Sequence, residues 1–348
     1  MMNSLTNKYL ADLSFSAEQI GYIRSIGEYR GKQELFFNQS PEILKSLQLV
    51  AKIESNESSN RLEGIELPYK KIKELILKDA KPKSRTEQEI AGYRDNLNLI
   101  HESAEHMPFT PNVILQLHKM LCRYMSNPGG HWKVSDNEII EKYDDGSFRV
   151  RFKPTQAYLV SQAMDELASN YATAIKDEKH DPLVLIPLVI LDFLCIHPFS
   201  DGNGRISRLL TLMLLYQCNY QVGHYISLER IFEESKKSYY ETLEVSSQNW
   251  HEGTHDVKPW LNYFWGTLLR AYRELEERVG TITTGKGSKT ELIRSAIERR
   301  VTPFSIVDIE SDCAGVSRDT IRRVLRQMRD EKIIIASGGG RGAQWKKL

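Results

Sequence analysis

The chain has 348 residues, 41% of them hydrophobic and 27% charged, with a formal net charge of +1. That length allows two or three domains with a sizeable core, and the composition excludes a disordered chain. Near neutrality excludes a molecule that works as a whole as a polyanion binder. The charge is uneven, however. Lys286 to Leu348 holds 14 Lys/Arg against 8 Asp/Glu, net +6, which leaves net −5 on the rest, so a separate basic C-terminal module is predicted. Cys122, Cys195, Cys218 and Cys313 share no C-x-x-C spacing and read as reduced, buried thiols, which favours a cytoplasmic location. The opening MMNSLTNKYLADLSF lacks the apolar core of a signal peptide. The most apolar run, Leu183 to Ile196, is short of the ~20 residues of a membrane span and contains Pro187 and Asp192. It reads as a buried core helix, and no membrane association is expected.

In chain order the predicted elements are mostly helical. Ser40-Pro41 resembles an N-cap followed by proline at the first helical position, and Leu44, Leu47, Val50 and Ile53 recur at helical spacing. That helix runs to Gly64, with Pro68 as a stop. Amphipathic stretches follow at 68–78 and 86–107, then a helix at 112–125 broken by Asn127-Pro128-Gly129-Gly130. NEIIEKYDDGSFRVRF, residues 137–152, has two alternating runs around Asp145-Gly146 and predicts a β-hairpin. Helices resume at about 156–176, 181–197, 204–218, 235–247 and 258–279. GTITTGKGSK, 280–289, is small and polar and reads as a linker.

The loop IHPFSDGNGRISRLL, 196–210, carries the chemistry. A helix N-terminus presents unpaired N–H groups and about half a positive charge. Arg205 and Arg208 in that first turn are unfavourable unless an anion sits there, and a polyphosphate fits best. Gly202 and Gly204 let several N–H groups converge on one spot. The two arginines, i and i+3, share a face. Asp201 is placed for a divalent cation, since Mg²⁺ is usually held by one or two carboxylates with phosphate and water. His197, with a reference pKa of about 6.5, suits a general base. Phe199 is expected to anchor the loop in the core. Taken singly, a helix-end histidine is more often a cap, DGNG a turn and an arginine pair a solvated face.

HPFSDGNGRISR resembles the signature of the Fic family, H-P-F-x-D/E-G-N-G-R-x-x-R, at every fixed position. The resemblance implies a mainly α fold, a Fic-type helical bundle with a β-hairpin flap. It also implies a protein adenylyltransferase that moves AMP from ATP to a Ser, Thr or Tyr hydroxyl of a target protein, with Mg²⁺. It makes His197 the base and Asp201 the metal ligand. Asn203 and the loop amides of Gly202 and Gly204 would hold phosphates, and Arg205 and Arg208 would grip the β- and γ-phosphates. The 137–152 hairpin would be a flap on which the target docks as an added strand, though a surface ribbon remains the plain alternative. KKSYYETL resembles the stretch whose tyrosines border the nucleotide, so that Tyr239 or Tyr240 stacks on the base or touches phosphate; an amphipathic helix with aromatic core residues is the alternative. SSNRLEG, 58–64, matches the S-x-x-x-E-G inhibitory motif of Fic proteins that carry their inhibitor in front of the domain. By that likeness Ser59 and Glu63 belong to an autoinhibitory arm, and Glu63 pairs with Arg208 and holds it off the γ-phosphate.

The C-terminal residues read as three helices followed by strand, glycine turn and strand, which resembles a small winged helix-turn-helix domain. Arg318, Arg322, Arg323 and Arg326 would line its third helix as DNA contacts, with protein docking as the other role of such modules. The expected domains are therefore 1–108, a helical region with the inhibitory motif; 109–279, the Fic catalytic domain; 280–289, the linker; and 290–348, the winged helix. A de-AMPylating hydrolase, a transferase of another phosphate-containing moiety and a nucleotide-sensing DNA-binding regulator stay open beside the adenylyltransferase, and a homodimer is compatible with the family.

Overall fold

The computed structural model describes residues 4–37, 41–77, 80–142, 146–280, 288–298, 300, 303–313, 316–337 and 344–347. Among these residues it is mainly helical, and no helix is long and apolar enough to cross a membrane. The chain divides into two compact units: residues 1–30, 53–221 and 228–269 form one, and residues 31–52, 222–227 and 270–348 the other.

Helices α1 (Asn7–Asp12), α2 (Ala17–Phe37) and α3 (Pro41–Leu62) open the chain. Helix α2 was not predicted. It is weakly amphipathic and contains Gly21, Gly27 and Gly31, so its apolar periodicity is faint. Helix α3 ends as expected, with Gly64 at φ 77° just beyond it. Then come α4 (Tyr69–Leu77), α5 (Arg85–Ser103) and α6 (Pro111–Leu121). Ser84 and Glu87 form a capping box that starts α5. Where α5 meets α6, a methyl on Gly92 would overlap the backbone carbonyl of Leu121, so only glycine lets these helices approach so closely.

Strands β1 (Ile139–Lys142) and β2 (Phe148–Phe152) form the predicted antiparallel hairpin, with a register shift between Ile139 and Ile140. Gly146, ahead of β2, has φ 83°, while Asp145 lies outside the described residues. Helices α7 (Val160–Lys176), α8 (Pro182–Ile196) and α9 (Asn203–Gln217) build the centre of the first unit, and α8 is buried along almost its whole length. Asp181 caps α8 by accepting the Leu183 N–H. Inside it, Pro187 has no N–H to give to the Leu183 carbonyl four residues back. The Trp265 indole donates to that carbonyl instead, at 2.8 Å, and Trp260 donates to the Pro187 carbonyl, also at 2.8 Å. Helices α10 (Leu228–Glu234), α11 (Lys236–Ser247) and α12 (Lys258–Gly280) follow.

In the second unit, α13 (Ser288–Glu298), β3 (Phe304–Ser305), α14 (Ile306–Asp312), α15 (Arg318–Asp330), β4 (Ile334–Ser337) and β5 (Gln344–Lys347) give three helices and a three-stranded antiparallel sheet of order β3-β5-β4. Ile293, Ile297, Phe304, Ile321, Leu325 and Met328 are among its core residues. The expected linker lies mostly outside the described residues, since α12 ends at Gly280 and α13 begins at Ser288; the glycine run 338–340 also lies outside them.

Candidate functional site

The apolar α8 delivers His197 to a cavity of about 250 Å³. His197 is the C-cap of α8, in the left-handed conformation at φ 50°, ψ 61°, and its N–H closes the helix on the Phe193 carbonyl. A non-glycine residue there is uncommon, and Pro198 forbids the helix to continue. The ring Nδ1 faces the Leu194 carbonyl at 3.2 Å. A carbonyl only accepts, so Nδ1 carries the proton and Nε2 keeps its lone pair. Burial, more than any other influence, holds the imidazole at a pKa of about 4, against the opposing pull of that carbonyl. At neutral pH the ring is uncharged and able to accept a proton.

The loop after it is braced from inside. Phe199 is fully buried and stacks on His118, with ring centroids 3.7 Å apart, so it anchors the loop as expected. The His118 Nδ1 accepts the Gly130 N–H at 3.0 Å, which leaves its Nε2–H to donate to the Asp201 carbonyl at 3.2 Å. Gly202 then turns at φ 82°. Asn203 lines the cavity and also braces the loop. Its side-chain oxygen accepts the Phe199 N–H at 2.9 Å and its amide donates to the Phe199 carbonyl at 2.7 Å. That bond uses one of the two amide N–H groups.

The two motif arginines also part company. Arg208 stands in the cavity wall; Arg205 does not. Arg205 is buried, with Nη1 on Glu89 of α5 at 2.9 Å and Nη2 on Asp201 at 3.3 Å. In this arrangement only Arg208 of the two borders the cavity, while Arg205 is paired with Glu89. Arg208 donates from Nε to the Ser59 hydroxyl at 2.8 Å, and from Nη2 to the Ser59 carbonyl at 2.9 Å and to Glu63 at 2.7 Å. Burial, the largest single influence, works against its charge, but the Glu63 carboxylate together with Tyr239, Tyr93 and Tyr240 outweighs it and holds the guanidinium firmly protonated. Glu63 lies over the first turn of α9, so close that a methyl on Gly204 would overlap its carboxylate. The anion that the helix N-terminus calls for is present, and it belongs to the chain itself.

Tyr239 is buried, and Tyr240 donates to the Leu62 carbonyl at 3.3 Å; both border the cavity, their rings 5.1 Å apart. The hairpin supplies the opposite rim through Ile139, Arg151 and Phe152. It is held down on α11 by ions: Glu141 takes Arg149 and Arg151, at 2.8 and 2.6 Å, and both arginines reach Glu244, at 2.9 and 3.3 Å. Beneath the loop, the Lys133 ammonium donates to Asn137 at 2.7 Å and to the Ile196 carbonyl at 3.4 Å, and burial lowers it to about 8.

The donor set leaves a place for an anion such as phosphate on one specific ground. Arg208 Nη1 is buried in the cavity wall and has no hydrogen-bond partner among the described residues. A buried, unpaired guanidinium donor is costly unless something else accepts from it. For a magnesium ion the chain offers the Asp201 carboxylate, 72% exposed. Among the described residues no three acidic, His or Cys side chains gather to hold an ion, so phosphate and water would complete its shell. In the second unit, Arg318 pairs with Glu310 at 3.5 Å and Arg322 with Asp319 at 3.3 Å. Arg323 and Arg326 stand exposed on the same helix, α15.

Residues 108–215 match the profile of the Fic/DOC family. The fold resembles that of a Fic family protein from Desulfovibrio desulfuricans G20, with a TM-score of 0.62 at 20% identity, covering 97% of each chain. It also resembles a Fic domain containing signaling protein from Bacteroides thetaiotaomicron VPI-5482, with a TM-score of 0.62 at 22% identity, covering 74% of this chain and 97% of that one. Fic-1 from C. elegans matches with a TM-score of 0.60 at 18% identity, over 78% of this chain and 74% of that one.

Proposed function

Starting from a chain that carries a Fic/DOC family domain over residues 108–215, we propose that it is a protein adenylyltransferase, held in check by Glu63. The family transfers a nucleotide-phosphate moiety to proteins. What supports it is one juxtaposition: a neutral imidazole with a free Nε2 and Arg208, whose buried Nη1 has no partner among the described residues, line the same cavity at the head of α9.

On this reading the target segment lies along the 137–152 hairpin and presents a hydroxyl. His197 Nε2 takes the hydroxyl proton as the oxygen bonds to the α-phosphorus of ATP, and the bond to the β-phosphate oxygen breaks, releasing pyrophosphate. Arg208 and the N–H groups at the start of α9 hold the departing phosphates. Asp201 would hold a magnesium ion, which would supply further neutralisation of phosphate charge. Arg205, clamped by Glu89, positions Asp201 and does not touch substrate. Glu63 keeps Arg208 from the γ-phosphate until it is displaced.

ATP labelled at the α-phosphate, with Mg²⁺ and cell extract, tests the proposal in wild type, Glu63→Ala and His197→Ala. Label on protein in the second and not in the third is expected. Label appearing only as free AMP refutes the transferase and favours a hydrolase on the same residues, a reading that the carboxylate of Glu63 in the same cavity as His197 lends some weight. For the second unit we propose a winged helix that docks on DNA through Arg323 and Arg326, with Arg318 and Arg322 at its margins. Its binding is expected to weaken steeply with salt, and an absence of binding at low salt refutes it. The protein's place would be the cytoplasm.

A further inference from the structure

A second cavity, of about 710 Å³, lies at the root of the hairpin. Ile139 and Phe152, paired across the strands, border the catalytic cavity; the next residues outward, Glu138 and Lys153, border this one. Its walls are preformed. Asp136 accepts the Ala157 N–H at 2.7 Å, and the His251 ring bonds the Lys153 carbonyl at 2.8 Å.

The lining has a definite chemistry. Three carboxylates border it, Asp136 and Glu138 from the segment before β1 and Glu166 from α7, against the single ammonium of Lys153, which already pairs with Glu138 at 3.5 Å. They do not converge closely enough to hold a metal ion. Leu159, Ala163 and Pro154 add apolar surface. Thr155 is 9% exposed and lines the cavity, its N–H spent on the Cys195 carbonyl and its hydroxyl without a partner among the described residues. That hydroxyl borders the cavity and is able to bond a ligand group there.

We propose that this cavity receives a lysine or arginine side chain of the target protein, a short way along the chain from the hydroxyl to be modified. The proposal rests on the transferase reading for its target, but the cavity can be tested without it. A long basic side chain lays its methylenes on Leu159 and Ala163 and carries its charge to the carboxylates. The hairpin beside it is a two-stranded sheet with open edges and exposed Ile140, Phe148 and Val150, the kind of edge on which an extended segment adds as a strand. A segment so placed runs past the hairpin root and over the cavity. The strand contact sets the backbone, and the acidic cavity chooses among sequences.

The test uses the full chain and fluorescein-labelled acceptor peptides that differ only in flanking residues, lysine in one set and glutamate in the other. Lysine-flanked peptides are expected to bind about five- to tenfold more tightly at low salt, the worth of one or two partly exposed ion pairs, and added salt should shrink the gap. The double variant Glu138→Lys, Glu166→Lys should lose or reverse the preference while binding ATP like wild type. Thr155→Val, which keeps shape and removes only the hydroxyl, should weaken the lysine peptides alone. Equal binding of the two sets by wild type, or a preference that survives the double variant, overturns the proposal. Selective binding without label transfer by Glu63→Ala keeps the cavity and sinks the transferase reading; labelling without selective binding does the reverse.

Discussion

Replacing Glu63 with alanine should make the protein less stable and a better nucleotide binder at once. Arg208 stays buried after the change and keeps its two contacts to Ser59, but loses the only carboxylate paired with it among the described residues. Removing one partner of a fully buried pair costs about 3–5 kcal/mol. The Glu63 side chain is 31% exposed, so solvent screens part of this, and about 1–3 kcal/mol remains. Thermal unfolding should shift down by roughly 2–6 °C. The same interaction no longer competes with a triphosphate for the guanidinium, so ATP should bind about 5- to 100-fold more tightly. Calorimetric titration with Mg²⁺-ATP and a melting curve read the two effects in one preparation. A variant that melts with wild type and binds ATP no better would falsify the pairing as a competitor. Lower stability without tighter binding would leave Glu63 as a structural contact only.

Three other outcomes are expected. His197→Ala should fold normally and lose about 10² to 10⁴-fold of any transfer activity, and the wild-type rate should hold as pH falls through 6.5, because the ring stays neutral to about 4; a rate that halves near pH 6.5 in a stable protein argues against it as the base. Burial likewise holds His118 and His255 at about 4. These three rings are neutral when folded and protonate on unfolding below their ordinary value of about 6.5, so their contribution is intact above that pH and is lost as pH falls toward 4. Asp192, raised by burial to about 7, works in the opposite sense between about 4 and 7, so Asp192→Asn should steepen the acid loss in denaturant titrations; a flatter profile would contradict this. Gly92→Ala, which drives a methyl into the Leu121 carbonyl, should destabilise by about 1–3 kcal/mol or more, and an unchanged denaturation midpoint would show that α5 and α6 can part without cost.

How far each feature could be read in advance followed from its range along the chain. Local signals carried well: the Asp181-Pro182 start and Pro198 stop bound α8, and the alternating runs around Asp145-Gly146 became β1 and β2. The Ser59 and Glu63 contacts to Arg208 were legible only through the likeness of a whole motif, since nothing local in 58–64 points 145 residues onward. Glu89, His118 and the Arg151–Glu244 contact escaped altogether. Each is a single polar residue on an ordinary amphipathic element, and its importance is created by a partner far away in sequence. Asn203 is read from its position in the motif, and Arg205 from its place in the first turn of α9. Neither signal could tell that the Asn203 side chain also braces Phe199, or that Glu89 pairs with Arg205.

The carboxylate that occupies the pocket hangs from the frayable end of a helix. The N–H groups of Glu63 and Ile65 both return to the Asn60 carbonyl, each at 3.0 Å, and Gly64 ends the turn between them. Terminal turns open far more readily than helix centres. On the transferase reading, each brief unravelling lifts the block, so wild type idles at a low output instead of falling silent. That leak is metered by a few backbone bonds, and it should climb with warming well before the bundle itself gives way.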